Sequence, residues 1–240
     1  MTALLRIDSL SAGYGDFQAL FDLSLSLDEG ESLAIIGANG AGKTTLLRAI
    51  SGLIPAMSGS IQFAGEDLLA LPAHKRVNAG VAMVPEGRLL FPSLSVRENL
   101  QVGAYSRRPG DWTIERILSV FPLLEPLMDR ASGFLSGGEK QTVAIGRALM
   151  ANPRLLLLDE VSLGLAPIVV GQVYKALPSI TESGTTVLVV EQDIGQAMSV
   201  AERVICMLEG KVSLEGRADS LPREEITAAY FGFETTGQKH

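Results

Sequence analysis

One loop constrains this chain more than any other feature, because it matches the phosphate-binding pattern G-x-x-x-x-G-K-[ST] between an apolar strand and a helix. The loop reads Gly37-Ala38-Asn39-Gly40-Ala41-Gly42-Lys43-Thr44-Thr45. In this context backbone N–H groups and a helix N-terminus surround nucleotide phosphates, since glycine allows a close approach. We expect Lys43 to reach the β- and γ-phosphates and Thr44 to bind Mg²⁺. The alternative is an ordinary glycine-rich turn, which the preceding strand disfavours.

Length and composition indicate a folded α/β protein rather than a disordered or nucleic-acid-binding one. The chain has 240 residues, 47% of them hydrophobic, which is enough for one large domain or two small ones. Its net charge of −7 argues against a nucleic-acid partner. The single cysteine, Cys206, lies in an apolar run and is predicted to be a buried packing residue. His74 and His240 have no metal-binding neighbours, so surface positions are predicted for both.

The sequence predicts neither a secretory signal nor a membrane span. Its first residues lack a basic region followed by a long apolar stretch. The best uncharged stretch, residues 161–174, is shorter than the ~20 residues that a spanning helix needs, and it contains Pro167. We therefore expect a cytoplasmic protein that does not cross a membrane by itself.

The order of apolar segments predicts an α/β fold with a mainly parallel core sheet. Leu23, Leu25 and Leu27 alternate with serines, which indicates a half-buried strand in an N-terminal antiparallel β layer. Strands alternating with helix-length segments are typical of parallel sheets. After the phosphate loop, such strands are predicted at residues 80–84, 155–158, 185–190 and 204–208.

The pattern becomes helical between residues 90 and 135. Ser95 and Glu98 have capping-box spacing and should begin one helix, and residues 111–121 indicate another. We predict one domain over residues 1–240, in which residues 1–89 and 136–240 form the core and residues 90–135 form a helical subdomain.

Two carboxylates, Asp159 and Glu160, end the apolar strand at residues 155–158. Ligands of open α/β sheets lie beyond the carboxyl ends of strands, where these acids would be placed. We predict that Asp159 holds Mg²⁺, directly or through water, and that Glu160 activates the attacking water. The alternative interpretation is a buried strand that ends in solvent-facing acids with no role in binding. The presence of a phosphate loop in the same chain disfavours this alternative.

A third string precedes an apolar helix pattern. It reads Leu135-Ser136-Gly137-Gly138-Glu139-Lys140-Gln141. Ser136 can cap the helix, while Gly137 and Gly138 leave its N-terminal amides open to an anion. The string therefore predicts a second phosphate contact, although Ser-Gly-Gly alone also fits a plain helix start.

Taken together, these motifs resemble the ATP-binding subunit of ABC transporters over essentially the whole chain. The resemblance implies a P-loop NTPase fold, ATP and Mg²⁺ as cofactors, and a signature string at 135–141 that contacts ATP on a partner subunit. One copy of each motif implies that two cassettes act head to tail. Tyr14 lies where the family places an aromatic residue that stacks on adenine; a packing role is the alternative.

Two departures from the common family pattern are informative. Glu86 stands at the Q-loop position, and Gln192 replaces the usual switch histidine. With the segments at 163–167 and 229–232, they resemble the second ATPase of branched-chain amino acid importers, although Val161 stands where that family usually has proline. By this resemblance Gln192 contributes to catalysis without titrating near neutral pH, and Glu86 senses Mg²⁺ and the transmembrane partner.

The resemblance also implies the partners and the location. We expect two transmembrane permease subunits, a second ATP-binding subunit and, indirectly, a substrate-binding protein, with this chain peripheral on the cytoplasmic face of the inner (plasma) membrane. The helical insert and the loop around Glu86 are the expected contact surface, to which Arg88, Arg97, Arg107 and Arg108 belong unless they are merely solvated charges.

Other functions stay open at this point. Importers of urea, amides or aromatic acids use similar ATPases, and the cassette itself never touches the cargo. An ABC-type ATPase of translation or DNA maintenance is disfavoured because the chain has neither a second cassette nor a long coiled coil. A GTPase or small-molecule kinase would share the phosphate loop, but the guanine motif Asn-Lys-x-Asp is absent and the signature string has no purpose there.

Overall fold

The structure is a computed structural model that describes residues 3–233. The strands are β1 (Leu5–Tyr14), β2 (Phe17–Leu27), β3 (Ser32–Ile36), β4 (Ala56–Phe63), β5 (Glu66–Asp67), β6 (Val81–Val84), β7 (Leu155–Asp159), β8 (Thr186–Glu191), β9 (Arg203–Leu208) and β10 (Lys211–Arg217). The α-helices are α1 (Lys43–Ser51), α2 (Ala73–Ala79), α3 (Val96–Gly103), α4 (Ile114–Val120), α5 (Gly137–Leu149), α6 (Pro167–Glu182), α7 (Ile194–Val200) and α8 (Arg223–Phe231). Short 3₁₀ helices cover Ala104–Ser106, Pro122–Leu127 and Ser132–Phe134.

The chain forms two compact units. Of the described residues, the first unit contains 3–72 and 188–233, and the second contains 73–187. The boundary at residue 188 falls inside β8. The core and helical subdomain proposed from sequence, with limits at residues 90 and 135, stay a prediction.

An antiparallel sheet in the first unit has the strand order β2-β1-β4-β5. Leu23, Leu25 and Leu27 are buried along β2 while the serines between them are exposed, as the alternation predicts. The predicted antiparallel layer is therefore confirmed. Its β4 and β5 follow the phosphate loop in the chain and were not predicted from sequence.

A second sheet of the first unit carries the start of the phosphate loop. All five residues of β3 are buried, and β3 pairs in parallel with β9, Leu33 opposite Arg203 and Ile36 opposite Cys206. The other neighbour of β3 is β8, and β10 adds an antiparallel edge strand to β9. Strands buried on both faces are apolar throughout, which explains the uninterrupted run before the loop.

The second unit holds a parallel pair of strands and most of the helices. In it β6 pairs with β7, from Val81 opposite Leu155 to Val84 opposite Leu158. With the parallel β3–β9 pair, this confirms the predicted α/β fold with a mainly parallel core sheet. The predicted strands at 80–84, 155–158, 185–190 and 204–208 agree with β6, β7, β8 and β9 to within one residue.

The helical segment of the second unit follows the prediction in type but not in every boundary. Ser95 and Glu98 form the predicted capping box at the start of α3. The helix predicted over residues 111–121 begins later, at Ile114, because Thr113 caps it. The preceding loop is held elsewhere, since the Trp112 amide donates to Asn152 Oδ1 at 2.7 Å.

The histidines and the apolar helices were the other subjects of sequence-based expectations. His74 is exposed, as predicted, and His240 lies outside the described residues. Within residues 3–233, no helix is both long and apolar enough to span a bilayer.

Cys206 is fully buried in β9, and burial raises the pKa of its thiol to about 11. Because the thiolate is the reactive form, we expect the native protein not to react with a chromogenic disulfide reagent at pH 8, and to release one equivalent of chromophore after unfolding. The thiol has a pKa of 9.0 in the unfolded chain and about 11 in the folded protein. Its contribution to the free energy of unfolding is therefore fully present below pH 9.0 and is lost as the pH rises towards 11. Rapid labelling of the native protein would contradict the buried position.

Candidate functional site

The phosphate loop connects β3 to α1 in the first unit. Gly40 and Gly42 have φ angles of 85° and 98°, in the left-handed region that favours glycine. The Lys43 side chain is buried, and its Nζ donates to the carbonyl oxygens of Gly37 at 2.7 Å and Ala38 at 3.1 Å. The lysine therefore fastens the beginning of the loop to the first turn of α1 and places its charge within the loop.

Close packing excludes side chains from two glycines of the loop. A Cβ on Gly37 would lie 2.4 Å from the Met207 carbonyl oxygen, and one on Gly42 would lie 2.8 Å from Leu20 Cδ2. Behind the loop, the Ala41 carbonyl accepts a hydrogen bond from the Gly210 amide at 3.1 Å, and the Gly210 carbonyl accepts one from Phe21. The turn between β9 and β10 thus fixes the loop to β2.

The first turn of α1 is suited to an anion. Its N-cap residue is Gly42, which has no side chain to cap the helix. The first turn also contains no acidic residue. Its N-terminal amides and the Lys43 ammonium group are the donors expected for phosphate oxygens.

Tyr14 ends β1 in the same unit and is partly exposed. Arg48 of α1 donates from Nη1 to the Tyr14 hydroxyl at 3.1 Å, and its guanidinium carbon lies 6.0 Å from the ring centroid. Tyr14 is therefore tied to the helix that begins at the phosphate loop. Its stacking on adenine stays a prediction.

Gln192 follows β8, also in the first unit. The preceding Glu191 is buried, and the Asp193 side chain caps α7 by accepting a hydrogen bond from the Gln196 amide at 2.7 Å. Because β8 neighbours β3, Gln192 follows the strand next to the one that leads into the phosphate loop. A buried strand end and a capped helix start define the position of its backbone.

The glutamine at this position predicts the pH dependence of ATP hydrolysis. An amide does not titrate near neutral pH, whereas an imidazole has a pKa of about 6.5. We expect Gln192→Ala to remove no ionisation from the pH profile, and Gln192→His to add a step near pH ~6.5. Initial hydrolysis rates between about pH 5.5 and 8.5 test this. A wild-type step near pH ~6.5 that disappears in Gln192→Ala would refute it.

The two acids lie at the end of β7 in the second unit. Asp159 is the last residue of the strand and is buried. Glu160 follows with φ 46° and is half-buried, and its carbonyl accepts a hydrogen bond from the Leu163 amide at 3.1 Å. A non-glycine residue in this conformation costs roughly 1 kcal/mol or more, so the surrounding contacts must hold the turn.

The signature string begins α5, in the same unit as the acids. Ser136 caps the helix and forms a capping box with Glu139, whose Oε2 accepts from the Ser136 amide at 2.6 Å. Gly137 is exposed, while a Cβ on Gly138 would lie 2.5 Å from a methyl group of Val169. The predicted cap is confirmed, and contact of these residues with phosphate stays a prediction.

Glu86 lies in an exposed turn of the second unit, after β6. The turn contains Gly87, Arg88 and Leu89, whose φ angles are 78°, 67° and 43°. Arg147 of α5 holds it by donating to the carbonyl oxygens of Arg88 at 3.1 Å and Leu89 at 2.9 Å. The turn therefore presents Glu86 to solvent on a backbone fixed by α5.

The predicted site residues are thus divided between the two units. The phosphate loop, Tyr14 and Gln192 belong to the first unit, and Glu86, the signature residues and the two acids belong to the second. Residues 3–233 contain no group of three or more His, Cys, Asp or Glu side chains arranged for a metal ion. A hydroxyl and a carboxylate are oxygen ligands of the kind that Mg²⁺ takes together with water and phosphate oxygens. Binding of Mg²⁺ by Thr44 and Asp159 stays a prediction.

Comparison with known proteins identifies the family. The family model described as "ABC transporter" matches residues 20–162, a range that includes the phosphate loop, the signature string and both acids. The chain belongs to the ABC transporter family.

Relatives of this ABC ATPase match it over almost their whole length. It is 41% identical to the high-affinity branched-chain amino acid transport ATP-binding protein BraG of Pseudomonas aeruginosa, over 95% of this chain and 100% of the relative. It is 33% identical to a probable branched-chain amino acid transport ATP-binding protein LivF of Archaeoglobus fulgidus, over 92% and 95%. The lipopolysaccharide export ATP-binding protein LptB of Escherichia coli is 32% identical, over 96% and 98%.

A solved structure gives the same result for the fold. A dimeric ATP-binding cassette in a post-hydrolysis state with ADP and Pi matches with a TM-score of 0.79 and 26% identity, over 90% of this chain and 100% of that one. The ABC ATPase described here is therefore a nucleotide-binding cassette of the family that hydrolyses ATP. The predicted P-loop NTPase fold is confirmed.

Sequence reasoning missed the contacts made by arginines of this ABC ATPase. It treated Arg88 and Arg108 as surface charges, but both are half-buried. Arg108 donates to the Asn152 carbonyl at 3.0 Å, and Arg88 donates to Gln141 Oε1 at 3.0 Å. These partners are 44 and 53 residues away in the chain, and no local pattern indicates them. Arg97, in contrast, forms a solvent-exposed ion pair with Asp129.

Proposed function

We propose that this chain is the ATP-hydrolysing subunit of an importer for branched-chain amino acids. The proposal is carried by the phosphate loop, in which the buried Lys43 donates two hydrogen bonds to backbone carbonyl oxygens. The chain that contains this loop is 41% identical to BraG over 95% of its length. The similarity to LivF supports the same substrate class.

Mg²⁺ is the proposed metal cofactor. Thr44 and Asp159 would hold it, and it would neutralise charge on the transferred phosphate. Glu160 is the proposed base for the attacking water, and Gln192 would donate a hydrogen bond to the γ-phosphate. Glu86 would respond to the metal and to the membrane partner, because its carboxylate would repel nucleotide if it came close without a cation.

We propose a head-to-tail dimer in which Ser136, Gly137 and Gly138 of one cassette contact ATP held by the other. One copy of each motif in the chain supports this arrangement, as does the dimeric state of a similar cassette. The second cassette is either another copy or a related chain. A substrate-binding protein would take part only through the membrane subunits.

Two permease subunits are the proposed membrane partners, with this chain peripheral on the cytoplasmic face of the inner membrane. The second unit has large apolar side chains exposed to solvent, which favours a protein contact there. They are Leu89, Phe91, Val102 and Tyr105. Phe91 is fixed to α3 because its amide donates to Asn99 Oδ1 at 3.0 Å.

The proposal is tested with the complete transporter in lipid vesicles. Two permeases, both ATPase subunits and the binding protein would be reconstituted with ATP on the cassette side. Uptake of labelled leucine, isoleucine and valine is expected to require ATP and Mg²⁺ and to stop in Lys43→Ala. ATP hydrolysis with no uptake of any of the three would contradict the substrate class.

The same assay separates the alternatives. Labelled urea, acetamide and an aromatic acid replace the amino acid, and stimulation of hydrolysis by one of them would reassign the importer. The similarity to LptB makes export of lipopolysaccharide the second candidate. Stimulation by lipopolysaccharide instead of by amino acid would favour that candidate.

A further inference from the structure

Arg88 joins three segments of the second unit. It lies in the turn that carries Glu86 and is half-buried. Its Nε donates to Gln141 Oε1 at 3.0 Å, and Gln141 is on α5, just after the signature glycines. Its Nη2 donates to the Leu163 carbonyl at 3.4 Å, in the segment that follows Glu160. One guanidinium group thus bonds to the last residue of the signature string and to the segment that follows the proposed base.

The backbone of this turn is fixed independently of the Arg88 side chain. Arg88 and Leu89 have φ angles in the left-handed region, and both of their carbonyl oxygens accept hydrogen bonds from Arg147. Arg147 is also on α5. Removal of the Arg88 side chain therefore leaves the two hydrogen bonds that fasten the turn.

Gln141 shows that the Arg88 contact sets the orientation of a buried group. Gln141 is 4% exposed, and its Nε2 is buried with no hydrogen-bond partner among the described residues. A guanidinium group only donates, so Arg88 requires the amide oxygen of Gln141 on its side. The amide nitrogen is thereby held where it has no acceptor, although leaving a buried donor unpaired is unfavourable.

We propose that Arg88 is a positioning residue for ATP hydrolysis, acting through Gln141 and the Leu163 segment to hold the signature helix, the Glu86 turn and the chain after Glu160 in one arrangement. The inference rests on the proposed ATPase function. Arg88 lies outside the phosphate loop, whose lysine and helix amides belong to the first unit. Loss of the Arg88 side chain leaves those phosphate-loop donors in place, so we expect it to act on the turnover step more than on the binding of nucleotide to the loop.

The test measures ATP hydrolysis against ATP concentration in the full-length protein, assembled with its membrane partners. We expect Arg88→Ala to lower kcat about tenfold or more while KM stays within about twofold, since small displacements of reacting groups have large effects on rate. Arg88→Lys keeps the charge without the fork and should recover only part of kcat. Arg88→Ala combined with Gln141→Ala should be no slower than Arg88→Ala alone, because both changes remove the same contact.

Controls separate this inference from the proposed function. Arg130→Ala removes an exposed arginine of the same unit and should keep the wild-type kcat. If wild type hydrolyses ATP and Lys43→Ala does not, but Arg88→Ala has the wild-type kcat or changes only KM, the inference is overturned while the ATPase function stands. If Arg88→Ala does not fold, Arg88→Lys decides, and a wild-type kcat in that variant overturns the inference.

Discussion

Lys43→Ala is expected to lower kcat/KM for ATP hydrolysis by about 100-fold or more, and to weaken ATP binding as well. The Lys43 ammonium group lies in the phosphate loop, bonded to the Gly37 and Ala38 carbonyls. Alanine removes both the charge and these two bonds. The loop therefore loses its main cationic donor together with the contacts that close it.

Equilibrium binding of a fluorescent ATP analogue and steady-state hydrolysis measure the two effects. Lys75→Ala is the matched control, because Lys75 is exposed on α2 and should leave both measurements unchanged. Lys43→Arg adds a second comparison, since arginine keeps the charge but puts a larger, planar group in the buried position. Wild-type hydrolysis in Lys43→Ala would eliminate the phosphate loop as the nucleotide site.

Glu160→Gln is expected to separate binding from hydrolysis. If Glu160 is the base, the change should lower kcat by about 10²–10⁴-fold and leave ATP affinity near its wild-type value. Glutamine has nearly the same shape as glutamate but does not accept a proton from water. Because the donors of the phosphate loop are unaffected, ATP should remain bound.

Single-turnover hydrolysis and size-exclusion chromatography with Mg²⁺–ATP report these outcomes. The variant should retain ATP and stay in the dimeric fraction, whereas wild type should return to its nucleotide-free state after hydrolysis. Glu202→Gln, at an exposed carboxylate of the first unit outside the motifs, is the control. A Glu160→Gln variant with wild-type turnover would assign the base to another residue.

Short-range patterns predicted most of what positions the site. The alternation of Leu23, Leu25 and Leu27 indicated β2, and the glycine pattern located the phosphate loop between β3 and α1. Ser95 and Ser136 marked helix starts because capping depends on residues three positions apart. In each case the physical cause lies within a few residues of the chain.

Features that depend on distant contacts were not predictable in this way. Half of the β4 residues are exposed, and one of these is Gly59, where a Cβ would lie 2.4 Å from the Ser9 carbonyl oxygen. The sequence pattern of β4 therefore resembles a loop. The loop that precedes α4 is held by a hydrogen bond between Trp112 and Asn152, 40 residues apart. The contacts of Arg88 with Gln141 and Leu163 also join residues that are far apart in the chain.

The backing of the phosphate loop by Gly210 limits how this cassette can be recombined with its relatives. The glycine has φ 76°, and a Cβ there would lie 2.3 Å from the Ala19 carbonyl oxygen. Its amide and carbonyl form hydrogen bonds with Ala41 and Phe21. A chimera that took its last forty residues from another cassette would therefore need that cassette to have a glycine at the position of Gly210. Without it, the phosphate loop would be distorted even though its own sequence was unchanged.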